Sequence, residues 1–185
     1  MTTIPKSFIV PGGAQDASRY HLLLQACSQA DYEPVPLHIT WSTGSFNHYI
    51  AEARQQLASV LPQDLVIGFS YGALITMHCN PRARKLLLCS VPDPLDKTPS
   101  HRRTLNVITL KAGITNFNWD ELEALPQPVL TSPSHFFAGD QRVERIYQGF
   151  AQKFAAQHHS TWEIIPQAGH DINTEAYVKG LEKYL

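Results

Sequence analysis

Short, continuously apolar runs alternate along this chain with segments whose apolar residues recur at helical spacing. Residues 8–10 form the first run, and Tyr20, Leu23, Leu24 and Cys27 then occupy the i, i+3, i+4 and i+7 positions of one helix face. Strands that alternate with helices are typical of βαβ units, in which helices cover both faces of a mostly parallel sheet. Such strands are buried on both faces and are therefore apolar throughout, as these runs are. The sequence predicts an α/β fold.

The pattern continues to the end of the chain and predicts six strands, at residues 8–10, 35–40, 65–67, 86–89, 135–138 and 161–165. Helical spacing follows each of the first three strands and the last two. Between residues 93 and 133 prolines are frequent, so we expect no long element there, and residues 107–110 fit either a short strand or a helical turn. A length of 185 residues fits one domain spanning residues 1–185.

Charge and cysteine content exclude several classes of partner and scaffold. The chain has 15 Lys and Arg against 16 Asp and Glu, so no basic excess favours a nucleic acid or an anionic membrane as partner. Three cysteines without CxxC spacing predict neither a disulfide framework nor a zinc site.

No apolar run approaches the length of about 18 residues that a membrane span needs. The first ten residues have no room for a signal-peptide core, so we expect a cytoplasmic location.

The chemistry is expected at the carboxyl ends of the strands, where parallel sheets bind ligands. The third predicted strand leads into Gly68-Phe69-Ser70-Tyr71-Gly72, a G-x-S-x-G motif between a strand and a helix. A serine on such a sharp turn projects its hydroxyl away from the sheet, and the N-terminus of the following helix favours a developing anion nearby. The alternative is a glycine-rich turn with no chemistry.

A serine nucleophile needs a histidine base and a carboxylate that orients this histidine. Among nine histidines, His170 follows the sixth strand and so shares an edge of the sheet with Ser70. Asp140 follows the fifth strand and is the predicted carboxylate, although an aspartate before a helix is also a common N-cap. Asp93, after the fourth strand, is the competing acid.

Two backbone N–H groups are expected to stabilise the oxyanion. One belongs to Tyr71, the residue after the nucleophile. The other is expected from the loop that follows the first strand, Pro11-Gly12-Gly13-Ala14; the family resemblance described below narrows it to Gly13 or Ala14. Glycines in this loop let the backbone approach a substrate without obstruction by side chains.

The order Ser70, Asp140, His170, each after a successive strand, resembles the α/β-hydrolase superfamily over nearly the whole chain. The resemblance implies that Ser70 is the nucleophile, His170 the general base and Asp140 the orienting acid, with no metal or organic cofactor. Two departures suggest a small, nearly cap-less, esterase-like member. We expect the superfamily's N-terminal antiparallel hairpin to be missing, since the first predicted strand corresponds to its third, and we expect residues 93–133 to be too few for a full helical cap.

These residues predict a serine hydrolase that cleaves a small carboxylic ester or thioester through an acyl-enzyme on Ser70. A peptidase or amidase with the same triad is one alternative, and a non-catalytic binding protein of the same fold is another. The expected partner is a small acyl substrate. We expect an open, shallow site that favours short acyl chains, unless Phe117 and Trp119 fold over it as a small flap.

Overall fold

Six parallel strands form one sheet at the centre of the molecule, as the sequence predicts. The computed structural model describes residues 4–13, 17–93, 98–99, 103, 106–107, 109–110, 114, 117–141 and 143–185. The strands are β1 (Lys6–Val10), β2 (Glu33–Pro36), β3 (Leu65–Phe69), β4 (Lys85–Cys89), β5 (Ser134–Gly139) and β6 (Thr161–Ile165). Their order in the sheet is β2-β1-β3-β4-β5-β6.

Helices cover both faces of this sheet. They are α1 (His21–Gln29), α2 (Phe46–Leu57), α3 (Tyr71–Cys79), α4 (Trp119–Glu123), α5 (Glu144–Gln157) and α6 (Glu175–Glu182). Phe8 and Val10 of β1 point into the core that contains α2, α3 and α5. Ile9, between them, points into the core that contains α1 and α6. The continuous apolarity of the central strands, such as β3, follows from this burial on two sides, whereas the edge strands β2 and β6 contain glutamates and are largely exposed or half-buried.

The second strand is shorter than predicted. Residues 37–40 are not part of β2: the Leu37 N–H still donates to the Ile9 carbonyl of β1 at 2.8 Å, but the N–H groups of His38 and Thr40 bind side chains of α2. The N–H of His38 donates to Gln56 at 3.0 Å, and that of Thr40 donates to Glu52 at 2.8 Å. The ambiguity at residues 107–110 is also settled, since the described residues 107, 109 and 110 are helical.

The strand order places the loops after β1 and β3 side by side. From β1 the chain crosses to β2 on one side and then returns to β3 on the other. Such a switch point opens a crevice at the carboxyl ends of the two strands. Val10 is paired with Gly68, so the two loops that follow leave the sheet at the same height.

Close packing at this crevice requires a glycine at position 72. A Cβ there would lie 2.2 Å from the Val10 carbonyl oxygen and 2.3 Å from that of Pro11. We expect Gly72→Ala to lower the free energy of unfolding by about 3 kcal/mol, because backbone must move to admit the methyl group. Urea denaturation measures the change.

Gly149→Ala is the matched control. Gly149 lies within α5, and a Cβ there would meet nothing within 4 Å. This substitution should raise the free energy of unfolding by about 0.5–1 kcal/mol through helix propensity. Equal effects of the two substitutions would contradict the close packing inferred at Gly72.

Within the part of the chain that the structure describes, no helix is both long enough and apolar enough to cross a membrane.

Candidate active site

Ser70 lies at a strained turn between β3 and α3. Its backbone has φ 53° and ψ −125°, in a region that non-glycine residues occupy at a cost of about 1–3 kcal/mol. The Ser70 N–H donates to the Cys89 carbonyl at 2.8 Å, which ties the turn to the end of β4. Strain held in place by neighbouring strands is typical of a functional position.

His170 lies beside this turn, in the loop between β6 and α6. Its ring contacts the ring of Phe69, the residue before Ser70, at a centroid distance of 4.9 Å. On α5, the Tyr147 ring stacks on His170, also at 4.9 Å, with 15° between the planes. The imidazole side chain is 16% exposed, so it reaches solvent at the mouth of the site while two aromatic rings restrict its rotation.

The carboxylate that contacts His170 is that of Glu144. Its Oε1 lies 2.5 Å from His170 Nδ1, and the Glu144 side chain is fully buried. An ionised carboxylate only accepts hydrogen bonds, so Nδ1 carries the proton and Nε2 keeps the lone pair. This tautomer is the one that a general base for a serine requires.

The second oxygen of Glu144 is held by two further donors. Glu144 Oε2 accepts from the Gly139 N–H at 2.7 Å and from the Ser90 hydroxyl at 2.8 Å. The Ser90 oxygen in turn lies 2.7 Å from the hydroxyl oxygen of Tyr177 on α6. The buried carboxylate is therefore held directly from the ends of β4 and β5, and α6 supports it through Ser90.

The structure does not bring Asp140 to His170, which corrects the predicted acid–base contact. Asp140 is half-buried at the end of β5, and its Oδ1 accepts from the neighbouring Gln141 side chain at 2.8 Å. It does not cap α5 either, because Val143 occupies the N-cap position. The N–H of Gln141 donates to the Ala168 carbonyl at 3.1 Å, which ties the chain after β5 to the loop that carries His170. The first turn of α5 then places Glu144 in the interior.

The competing acid is also engaged elsewhere. Asp93 is buried, and its Oδ2 lies 2.5 Å from Lys153 Nζ on α5. Two other histidines are poor bases for the same reason, their burial. Burial lowers the pKa of His78 to about 4, and it likewise lowers the pKa of His135, at the opposite end of the sheet, to about 4.

The loop after β1 packs directly against the Ser70 turn. A Cβ added at Gly12 would lie 3.3 Å from the Ser70 Cβ and 3.2 Å from the Phe69 carbonyl oxygen. The Gly12 N–H donates to the Tyr20 hydroxyl at 3.0 Å, so this N–H is not free for an oxyanion. Gly13 follows in a turn, Tyr71 opens α3, and Ala14 lies outside the described residues.

Comparison with solved structures identifies this architecture. Tomato methylketone synthase I, in complex with 2-tridecanone, matches with TM-score 0.71 and 11% identity over 98% of this chain and 96% of that one. Mouse alpha/beta hydrolase domain-containing protein 10 matches with TM-score 0.73 and 11% identity over 97% and 87%. The RedJ thioesterase of Streptomyces coelicolor prodiginine biosynthesis matches with TM-score 0.73 and 13% identity over 98% and 90%.

The chain has the α/β-hydrolase fold. At these identities the likeness concerns the fold and not the activity. No protein-family model matches the sequence, and the curated proteins contain no match. In this α/β-hydrolase fold, β3 and α3 carry Ser70, the first turn of α5 carries Glu144, and the loop after β6 carries His170.

Sequence reasoning missed Glu144, Ser90 and Tyr177. A glutamate in the first turn of a helix is ordinarily explained by the helix dipole, so Glu144 carried no distinctive signal. Its only mark in the sequence is its distance of four residues from Asp140, one helical turn further along the chain. Ser90, at the end of the fourth strand, held the same kind of strand-end position as Ser70.

Aromatic side chains close one side of the site. The Phe117 ring packs on the Tyr71 ring at 5.1 Å and on Trp119 at 4.7 Å. This segment is held in place, since the Asn118 N–H donates to the Gly44 carbonyl at 3.0 Å. Phe117 therefore packs against Tyr71, the residue after Ser70, while many of residues 94–116 lie outside the described part of the chain.

One buried hydroxyl beside His170 is unsatisfied. Among the described residues, the hydroxyl of Tyr147 has no hydrogen-bond partner, and burial raises the pKa of this group well above its usual value. We expect Tyr147→Phe to raise the free energy of unfolding by about 1 kcal/mol, because a desolvated hydroxyl is removed while the ring stays.

The control for Tyr147 is Tyr49→Phe. The Tyr49 hydroxyl, equally buried, donates to the Trp41 carbonyl at 2.6 Å. Its removal should lower the free energy of unfolding by about 1–2 kcal/mol, because the buried carbonyl loses its short hydrogen bond and keeps only the Gly44 N–H at 3.4 Å. Thermal or urea denaturation of the two variants compares them, and a loss of stability in Tyr147→Phe would mean that its hydroxyl is paired.

Proposed function

We propose that this protein is a serine hydrolase that cleaves a small carboxylic ester or thioester through an acyl-enzyme on Ser70. The observation that carries the proposal is the buried Glu144–His170 pair, 2.5 Å between Oε1 and Nδ1, beside a serine in a strained strand-to-helix turn. A surface ion pair would explain neither the burial of Glu144 nor the conformation of Ser70.

Each residue has a defined role in this proposal. His170 Nε2 takes the proton of the Ser70 hydroxyl as the oxygen attacks the substrate carbonyl, and it then gives this proton to the leaving alcohol or thiol. Glu144 keeps the imidazole in the required tautomer and stabilises its positive charge. Water, activated by the same nitrogen, releases the acid and restores Ser70.

The oxyanion donors of the proposal are the backbone N–H of Tyr71 and that of Gly13 or Ala14. Support comes from position, since Tyr71 is the first residue of α3 and helix N-termini leave N–H groups without intrahelical acceptors. The neighbouring loop is held within contact of Ser70 at Gly12. Both sources of N–H groups therefore flank the nucleophile.

The names of the structural neighbours support acyl chemistry. RedJ is named a thioesterase, and esterase rPPE matches this chain with TM-score 0.69 and 16% identity. An amidase would use the same groups on a poorer leaving group, and no described contact favours it. The substrate of the proposal is thus an activated acyl compound, and its turnover needs no cofactor.

Labelling with a fluorophosphonate probe tests the proposal. An activated Ser70 displaces the leaving group at phosphorus and becomes covalently modified, which mass spectrometry of a tryptic digest locates. We expect the label on Ser70 in the folded protein, and none after heat denaturation or in Ser70→Ala. A folded protein that takes up no label and hydrolyses no p-nitrophenyl ester or acyl thioester would refute the proposed activity.

A further inference from the structure

The ends of β3 and β4 are each followed by a serine with a positive φ. Ser90 has φ 51°, close to the value of 53° at Ser70, and each N–H is bound to the next strand. The Ser90 N–H donates to the Phe137 carbonyl at 2.7 Å. Glycine adopts this conformation without strain, yet the chain has a fully buried serine here. Its hydroxyl must therefore provide an interaction that glycine cannot.

The direction of the hydrogen bonds around Ser90 follows from proton counting. The Glu144 carboxylate has no proton to donate, so the single hydroxyl proton of Ser90 goes to Glu144 Oε2 at 2.8 Å. The Tyr177 hydroxyl, 2.7 Å from Ser90 Oγ, must then donate to it. Tyr177 is fully buried, and burial raises its pKa well above the usual value, so it stays a donor.

Two donors at one oxygen fix the orientation of the carboxylate. The Gly139 N–H and the Ser90 hydroxyl reach Glu144 Oε2 from the ends of two different strands. Rotation of the carboxylate would break one or both bonds, and Oε1 is thereby kept towards His170 Nδ1. Hydrogen bonds to a charged group are stronger than those between neutral groups, which makes this restraint effective.

We propose that Ser90 and Tyr177 are positioning residues that hold Glu144 against His170, through a Tyr177–Ser90–Glu144–His170 hydrogen-bond chain. The inference rests on the proposed hydrolase function and deepens it. It adds α6 to the elements that set the geometry of the base, because Tyr177 lies on this helix. Neither residue contacts the reacting atoms, so their effect is on the chemical step and not on substrate binding.

The decisive variant is Ser90→Gly, which removes the hydroxyl and relieves the left-handed backbone. We expect kcat for a p-nitrophenyl ester to fall about 10- to 100-fold with KM unchanged, as for loss of a hydrogen bond to a charged group. Tyr177→Phe should lower kcat in the same direction and by less, since Ser90 can still donate. The matched control is Asp31→Gly, an exposed residue at φ 62° in the turn between α1 and β2, which should keep the wild-type kcat.

A second measurement does not depend on turnover. The His170 Nδ1–H should give a low-field proton resonance in the wild-type protein, assigned by its absence in His170→Gln. We expect this resonance to shift or broaden in Ser90→Gly and Tyr177→Phe and to stay unchanged in Asp31→Gly. A general loosening of the fold would move many resonances and would not single out this proton.

The outcomes separate the two proposals. Wild-type kcat and an unchanged low-field proton in Ser90→Gly would overturn the positioning role, even if the wild-type protein is a hydrolase. If Ser90→Gly does not fold, Tyr177→Phe decides by the same two criteria. The low-field proton could also shift in the variants while the wild-type protein shows neither hydrolase activity nor fluorophosphonate labelling. That result would support the hydrogen-bond chain and refute the proposed hydrolase function.

Discussion

Replacement of Ser70 by alanine should remove nearly all ester hydrolysis, with a loss in kcat of about 10⁶-fold, the scale measured when a triad serine is deleted elsewhere. The reason is that no acyl-enzyme can form without the hydroxyl, while oxyanion donors and substrate binding alone retain only about 10³–10⁴-fold over the reaction in water. The fold should persist, because alanine has the same difficulty as serine with a φ of 53° and takes up less space. Steady-state hydrolysis of a p-nitrophenyl ester measures the loss.

The control for this prediction is Ser59→Ala. Ser59 is an exposed serine just after α2, and its replacement should leave kcat unchanged. Far-ultraviolet circular dichroism and the melting temperature establish that both variants are folded. If purified Ser70→Ala retains more than a small fraction of wild-type activity, the nucleophile is another residue.

The second large effect is expected at the acid. Glu144→Gln should lower kcat by about 10⁴-fold, as an amide in place of the acid does in a well-characterised triad. The amide can donate to His170 Nδ1 and thereby stabilise the wrong tautomer, and it leaves the imidazolium without a counter-charge. Because the two side chains are nearly isosteric, KM and the far-ultraviolet spectrum should change little.

Asp140→Asn is the matched control for Glu144→Gln. The Asp140 side chain accepts from exposed Gln141 and does not contact His170, so its amide variant should stay within a few-fold of the wild-type kcat. Asp93→Asn breaks a pair with Lys153 and should affect stability more than rate. A larger loss of kcat in Asp140→Asn than in Glu144→Gln would return the acid role to Asp140.

The architecture was predictable because its signals are local in the sequence. Apolar runs of strand length, such as residues 86–89, mark strands that are buried on both faces. The turn at Ser70 was predictable for the same reason, since the flanking glycines, the strand and the helix are contiguous. The glycine at position 72 is also required by the fold, because a Cβ there would lie 2.2 Å from the Val10 carbonyl oxygen and 2.3 Å from that of Pro11.

The end of β2 shows where local pattern fails. Residues 37–40 have strand-like composition, and the Leu37 N–H still donates to Ile9 of β1, but those of His38 and Thr40 donate to Gln56 and Glu52 on α2. The identity of these acceptors depends on how α2 packs against the sheet. Such competition between partners distant in sequence is not encoded in the pattern of the strand itself.

The sequence by itself determined the sheet, the elbow at Ser70 and the histidine loop, because each depends on a short contiguous segment. Only the tertiary structure decided which carboxylate meets His170. Asp140 and Glu144 are four residues apart, and the choice between them depends on the hydrogen bond of Gln141 to Ala168 and on that of the Gly139 N–H to Glu144. The burial of Glu144 depends on a hydrogen bond from Ser90, 54 residues away along the chain, and the Ser90 hydroxyl is in turn bound by Tyr177, 33 residues from Glu144 on the other side. A buried charge depends on partners from several elements at once, and no local pattern specifies them.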